Sequence, residues 1–312
     1  MSSARAEPTT TSRATARPNL FLPYTALVVT MLCWAGNWVL GRAIRDAMPP
    51  IALNFWRWVV AALIVAPVAL PRLRGKGAAI RRHWPLLLGL GATGIALFQV
   101  LVYAGLRHTA TVNAVLMNAA APLFIILCTW FVDRDRASLR QIAGLLISFV
   151  GIVVIIERGE LAALANFRLD VGDLIVLTAM PVWGIYAVLL KRRPREFDGV
   201  GLLFLISVAG LLVLAPFVLA EAVWFKAPTL SLATVAGVLY LGLFASVLAY
   251  VCWNYGVAVV GPNRAGFMIH LLPAFGTVLA VLLLGEEVRV YHLIGIGAIL
   301  AGVTLATSSR IR

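Results

Sequence analysis

The stretch NAVLMNAAAPLF, residues 113–124, decides the fold, because RAGFMIHLLPAF, residues 264–275, lies over it without a gap at an offset of 151. Ala114 then meets Ala265, Pro122 meets Pro273 and Phe124 meets Phe275. Carried outward in both directions, the same offset pairs Gly91 with Gly242, Gly105 with Gly256, Gly144 with Gly295 and Gly151 with Gly302. Glycine and proline hold positions for backbone reasons that other residues cannot meet, so the match is more than shared apolar composition. A duplicated membrane unit implies a pseudo-two-fold axis with something held between the copies. That arrangement is usual in transporters, with the site near the midplane.

The unit belongs in a membrane. Of 312 residues, 62% are hydrophobic and only 12% charged, which leaves too little polar surface to cover a water-soluble domain of this size. Apolar runs approach the ~20 residues that a helix needs to cross the bilayer. Strict alternation in ten-residue blocks, the mark of an outer-membrane barrel, is absent. The expectation is an all-α polytopic membrane protein with ten transmembrane helices: 24–41, 51–70, 84–105, 111–132, 139–157, 172–191, 199–220, 233–256, 264–284 and 291–308. Residues 1–20 read as a disordered cytoplasmic tail, since they lack an apolar core of signal-peptide length. Cys33, Cys128 and Cys252 all fall within spans and read as buried free thiols.

Five spans per repeat is an odd number, so the second half (172–308) enters the membrane upside down relative to the first (24–157). Of the 26 Lys and Arg, seventeen fall on the side of the N-terminus and seven on the other, which places both termini in the cytoplasm. The net charge of +13 is therefore mostly a topology signal, and no nucleic-acid partner is expected. The first two spans of each repeat align less cleanly, with Gly36 over Gly184 and Pro67 over Pro216. Arg57 there faces Ile206 and has no charged counterpart.

The motifs carry a resemblance. W-A-G-N-W stands at 34–38, N-F-W-R-W at 54–58, and Y-A-G-L-R-H-T-A-T-V-N-A-V-L-M-N-A-A-A-P-L-F at 103–124. L-L-L-G-E-E follows at 282–287 and G-I-G-A-I-L-A-G at 295–302. In this order, across ten duplicated spans, the chain resembles the EamA family of the drug/metabolite transporter superfamily, and within it the bacterial exporters of aromatic and other neutral amino acids. The resemblance implies a secondary transporter of the bacterial inner (plasma) membrane that exports small neutral metabolites.

Polar groups in hydrocarbon are costly, so those within spans face the bundle interior or a wet cavity. Gln99 and Tyr103 sit four apart on one face of the third span, and their equivalents Tyr250 and Asn254 do the same on the eighth. A cavity wall explains the repeated pair; polar glue across a dry interface is the alternative. Pro122 and Pro273 each free a carbonyl four residues back, beside Asn118 and His270. These broken turns are either site-forming discontinuities or tolerated kinks, and His270 is either a proton or carboxylate partner or a neutral core histidine. Trp34 beside Asn37, and Trp183 and Tyr186 beside Pro181, offer aromatic faces at mid-span. Arg57 could bind a carboxylate, but a structural role is the reading adopted.

No phosphate-binding loop, no metal-ligating cluster and no mid-span carboxylate stands in the chain. The expectation is thus a transporter, not an enzyme, with no cofactor and no metal. Its partners would be a small-molecule substrate and the lipid bilayer, with a monomer as the working assumption. Substrate contacts fall to Trp34, Asn37, Gln99, Tyr103, Asn118, Trp183, Tyr186, Tyr250, Asn254 and His270, and hinges to Pro122, Pro181 and Pro273. A carrier of anionic solutes, such as nucleotide sugars or sugar phosphates, would need more cavity cations than Arg57 and Arg264. An intramembrane enzyme would need His270 to meet Ser246.

Overall fold

The computed structural model describes residues 20–44, 47–109, 111–159, 170–224, 231–284 and 289–308. The tail expected over 1–20 lies outside these up to residue 19, as do 160–169 of the joining stretch and 285–287 of the ninth-span motif. Regular structure among the described residues is helical, as a solvent without hydrogen-bonding capacity requires. Ten passes follow in order: α1 (Phe21–Ala43), α2 (Pro50–Leu73), α3 (Gly77–Gly105), α4 (Thr111–Asn118 and Ala121–Asp133) and α5 (Leu139–Ile156). The second set is α6 (Val171–Lys191), α7 (Gly199–Trp224), α8 (Leu232–Val260), α9 (Pro262–Phe267, then Leu271–Leu284) and α10 (Val290–Thr307). Eight are long and apolar enough to cross a bilayer. Of the other two, α1 offers the apolar run Phe21–Asn37, and a 3-10 turn at Met268–His270 interrupts α9. Helix α3 starts seven residues before the expected 84, because it continues past the apolar run with Arg81 and Arg82 exposed.

Local signals set the helix ends. The Ser138 hydroxyl accepts from Gln141 N–H at 3.3 Å while the Gln141 side chain accepts from Ser138 N–H at 2.8 Å, a reciprocal cap that opens α5. Between α8 and α9 the joint is Gly261 alone, at φ 87°, followed by Pro262 in the first turn of α9. That backbone angle favours glycine, and proline suits a first turn whose N–H has no helical partner.

Packing repeats the two-fold relation. Helix α1 lies on α8 and α9, and α6 lies on α3 and α4. Likewise α2 lies on α8 and α7 on α3, while α2 meets α7 and α5 meets α10. Moving every helix to its equivalent in the other repeat maps this set onto itself. The tightest seam joins α5 to α10: a Cβ on Gly144 would sit 2.4 Å from the Gly302 carbonyl, and one on Gly302 would sit 2.5 Å from the Gly144 carbonyl. Gly151 and Gly295 repeat the crossing at 2.6 and 2.8 Å. Small residues let the two backbones touch, as apolar solvent offers helices little other reason to associate.

The bundle is inside out relative to a soluble protein. Leu63, Phe131, Leu146, Leu212 and Leu219 are exposed toward the lipid, whereas Asn37, Asn54, Arg57, Gln99, Asn118, Asn254 and His270 are buried.

Candidate functional site

The site begins with two defects in helices. Helix α3 widens into π geometry over Ala92–Leu97, and α8 does so over Leu241–Leu248, overlapping stretches of the two repeats. A π turn shifts the bonding partner by one residue and puts carbonyls out of line with the helical ladder. Side chains from other helices take up carbonyls there. Tyr250 donates its hydroxyl to Gly94 O at 2.5 Å, Asn54 Nδ2 donates to Ile95 O at 2.8 Å, and Trp34 Nε1 donates to Ala245 O at 3.2 Å. Gly94 and Ala245 are the same position of the two repeats, so each repeat supplies one carbonyl to hold an aromatic side chain. Glycine is needed at 94, where a Cβ would lie 2.3 Å from the Tyr186 ring. Apolar composition is unchanged across a π turn, and the sequence reading missed both.

Between these defects lies a cavity of about 30 Å³, room for one or two waters. Six of the ten expected residues line it: Trp34, Asn37, Gln99, Asn118, Trp183 and Tyr250. Arg57, Phe98 and Val102 complete the wall from the first repeat, with Ile269 and Leu272 from α9. The amides of Gln99 and Asn118 have no hydrogen-bond partner among the described residues, and both groups open on this space.

Aromatic rings close one side. Trp34 and Trp183 meet edge to face at 5.2 Å between centroids, and Trp253 packs against them at 5.3 and 5.4 Å. Tyr250 stands edge-on to Trp58 at 4.8 Å. Trp253 was not among the expected residues, although its place three after Tyr250 puts it on nearly the same face of α8. Tyr186 and Asn254 do not reach the cavity. The Tyr186 hydroxyl donates to Asn254 Oδ1 at 2.7 Å, a bond between α6 and α8 within the second repeat.

Arg57, expected to be structural, is 1% exposed and borders the cavity. Its Nε donates to Ser246 Oγ at 2.9 Å and its Nη1 to Asn37 Oδ1 and the Tyr103 hydroxyl at 3.1 and 3.0 Å. Tyr103 in turn donates to Asn37 Oδ1 at 3.1 Å, so this residue is one layer from the cavity and fixes two that line it. The guanidinium carbon also lies 5.6 Å from the centre of the Trp58 ring.

His270 is fully buried and does not line the cavity. Its Nε2 donates to the Ala119 carbonyl at 2.9 Å, and its Nδ1 accepts from the Ser148 hydroxyl. A carbonyl only accepts, so Nε2 carries the proton and both nitrogens are spent. Ala119 and His270 are equivalent positions of the two repeats, and their bond ties the break in α4 to the 3-10 turn in α9. Pro122 and Pro273 each follow such a break, whereas Pro181 sits inside an unbroken α6. The pairing that an intramembrane enzyme would require is corrected: His270 meets Ser148, while Ser246 is held by Arg57 and donates to Leu241 O at 2.9 Å.

Comparison with known proteins agrees with this architecture. A model of the EamA-like transporter family matches residues 22–157 and again residues 170–308. An uncharacterized transporter of Archaeoglobus fulgidus is 29% identical over 286 residues, 91% of this chain and 96% of its own length. A probable terminal-alkyne amino-acid exporter of Streptantibioticus cattleyicolor is 30% identical over 280 residues, 90% of this chain and 91% of its own. A solved crystal structure, 19% identical, superposes with a TM-score of 0.74 over 91% of this chain and 96% of that one, a likeness of fold.

Proposed function

The chain belongs to the EamA-like transporter family, and from that premise we propose that it exports small neutral metabolites, amino acids foremost, by alternating access across a bacterial inner membrane with both termini in the cytoplasm. The observation that carries this reading is the cavity wall. Unpartnered amides (Gln99, Asn118) share this wall with aromatic rings (Trp34, Trp183), at a junction to which both repeats contribute. Amides recognise polar ends without demanding a charge, and indole faces accept apolar side chains. A relative at 30% identity is named as a probable amino-acid exporter, which fits the same chemistry.

At about 30 Å³ the cavity holds water rather than an amino acid. The described state is therefore closed around its site, and loading requires the repeats to part. The breaks before Pro122 and Pro273 are the proposed flexing points, with Pro181 as a third. His270 then acts as a tie between repeats, Tyr186 and Asn254 as a tie between α6 and α8, and Tyr103 as the support of Asn37. The test is uptake by proteoliposomes of a labelled panel: neutral amino acids, their amides, amines, sugars and sugar phosphates. Selective uptake of neutral amino acids supports the reading. Transport confined to sugar phosphates, or none of any solute, overturns it.

A further inference from the structure

The guanidinium of Arg57 is a buried charge whose acceptors are all neutral. Beyond Ser246, Asn37 and Tyr103, its Nη2 reaches only the Ala245 carbonyl, at 3.4 Å. Among the described residues no Asp or Glu pairs with it. A charge taken out of water without a counter-charge is costly, and a fold retains one more readily where something pairs with it. The repeat itself does not need this cation, because the equivalent place on α7 is Ile206, buried in the same packing. Arg57 borders the cavity, and the Trp183 indole N–H, also on its wall, is buried without a partner.

We infer that Arg57 is the anchor for the carboxylate of the transported solute, an inference that rests on the reading of this cavity as the solute site. The carboxylate supplies the missing negative charge through charge-assisted hydrogen bonds, and the aromatic wall takes the side chain. One fixed cation matches one carboxylate. A phosphate monoester would leave a second negative charge uncompensated, and an amine without an acid group would be repelled. The substrates are therefore monocarboxylates, zwitterionic amino acids among them, rather than amines or sugar phosphates.

The test uses the best-transported amino acid of the proteoliposome panel, competed by its amide, by its deaminated acid and by glucose 6-phosphate. The deaminated acid should compete and the amide should be at least tenfold weaker. The second arm is Asn37→Asp, which sets a carboxylate where Asn37 Oδ1 now lies 3.1 Å from Arg57 Nη1. That internal counter-ion should raise the Tm in detergent, cut uptake at least tenfold and bring amino acid and amide to within twofold of each other as competitors of the residual uptake, whereas a merely structural arginine would leave the preference for the acid in place. Arg57→Gln, if it folds, should bring amino acid and amide to within twofold of each other. If that variant does not fold, Asn37→Asp decides alone.

Equal competition by amide and amino acid overturns the inference, as does full uptake by Asn37→Asp or stronger competition by glucose 6-phosphate than by the deaminated acid. Uptake confined to solutes without a carboxylate also overturns it, while leaving the transport reading intact. Absence of any uptake by the wild type defeats the transport reading itself, and this inference falls with it.

Discussion

Two residues singled out by their sequence position do different work, and the difference is measurable. The Asn118 amide lines the cavity with no partner among the described residues, so Asn118→Ala should abolish flux while thermal stability in detergent moves by less than ~0.5 kcal/mol. His270 binds nothing in the cavity, and its ring satisfies Ala119 O and Ser148 Oγ in a dry contact. His270→Ala strips both and should cost about 1–3 kcal/mol per group left unsatisfied. A lowered melting temperature with an unchanged pH profile of residual transport is the expected result; a flattened profile at full stability would return the histidine to a coupling role. Much of this level was legible. Trp34, Asn37, Gln99, Asn118, Trp183 and Tyr250 could be found because polar or aromatic residues at mid-span have few reasons to be there. What could not be read was the direction of each side chain. His270 and Asn254 share the depth of the others, but the first points into a contact between repeats and the second into one between α6 and α8. Arg57 reads as structural because second spans of the R-W type are common in the family that the chain resembles, and its neutral partners, which come from three different helices, are not visible in the sequence.

At the scale of the element, periodicity told which residues form helices but not where a helix loosens. Ten spans followed from apolar runs, yet the π stretches in α3 and α8 leave hydropathy unaltered and are visible only as carbonyls bonded from outside. Gly94 lies within the α3 defect, against the Tyr186 ring. Its α-hydrogen leaves space for the Tyr186 ring, and a methyl would overlap it at 2.3 Å. Gly94→Ala must therefore move Tyr186, and with it the 2.7 Å bond to Asn254 that joins α6 to α8. Overpacking of this kind costs about 1–3 kcal/mol. Uptake should fall at least tenfold, and the combined variant with Tyr186→Phe, which has already lost the bond, should be less than additive with it. Strict additivity of the two in melting experiments would show that the glycine and the tyrosine are not coupled. By contrast, the glycine stripe on α5 and α10 was legible in spacing alone, since seven residues return to nearly the same side of a helix.

For the whole molecule, the repeat offset foretold antiparallel halves, and cysteines placed at 75 and 290 should label from opposite aqueous sides. The sequence did not disclose what holds those halves together. At one end the ties are Arg72 with Asp198 at 2.5 Å and Asp133 with Lys191 and Arg192 at 2.8 and 3.2 Å. At the other, the Glu221 carboxylate accepts Ile51 N–H and Ala52 N–H at 3.1 and 2.7 Å, and Asp173 accepts from Thr109. Every one of these contacts crosses between repeats. The first end is wet. Partial burial pushes the Asp198 carboxyl up, but the Gly201 N–H and the Arg72 guanidinium outweigh it and hold the group below its ordinary 3.8. A depressed value means that the tie is complete above the ordinary carboxylate range and is lost as pH falls through the lowered one. Acid below about pH 4 should therefore loosen this end first.

The energies of the two ends differ enough to predict which way the closed state leans. Exposed pairs such as Arg72–Asp198 contribute at most about 1 kcal/mol. Glu221 is buried and meets two N–H groups at the start of α2 that have no helical partner of their own. Hydrogen bonds to a charged group in such a place contribute about 1.5–3 kcal/mol. A ligand or a mutation shifts a two-state equilibrium only by its differential energy, with tenfold for each ~1.4 kcal/mol. In a background with Cys33, Cys128 and Cys252 replaced, a cysteine at Val102 on the cavity wall reports which end is open. Glu221→Ala should raise its labelling from the α2-start end by roughly tenfold or more. Asp133→Asn should raise labelling from the opposite end by no more than about fivefold, since its partners Lys191 and Arg192 are half exposed. A larger effect of Asp133 than of Glu221 would mean that the closed state is held from the wet end, and that the buried carboxylate only caps α2.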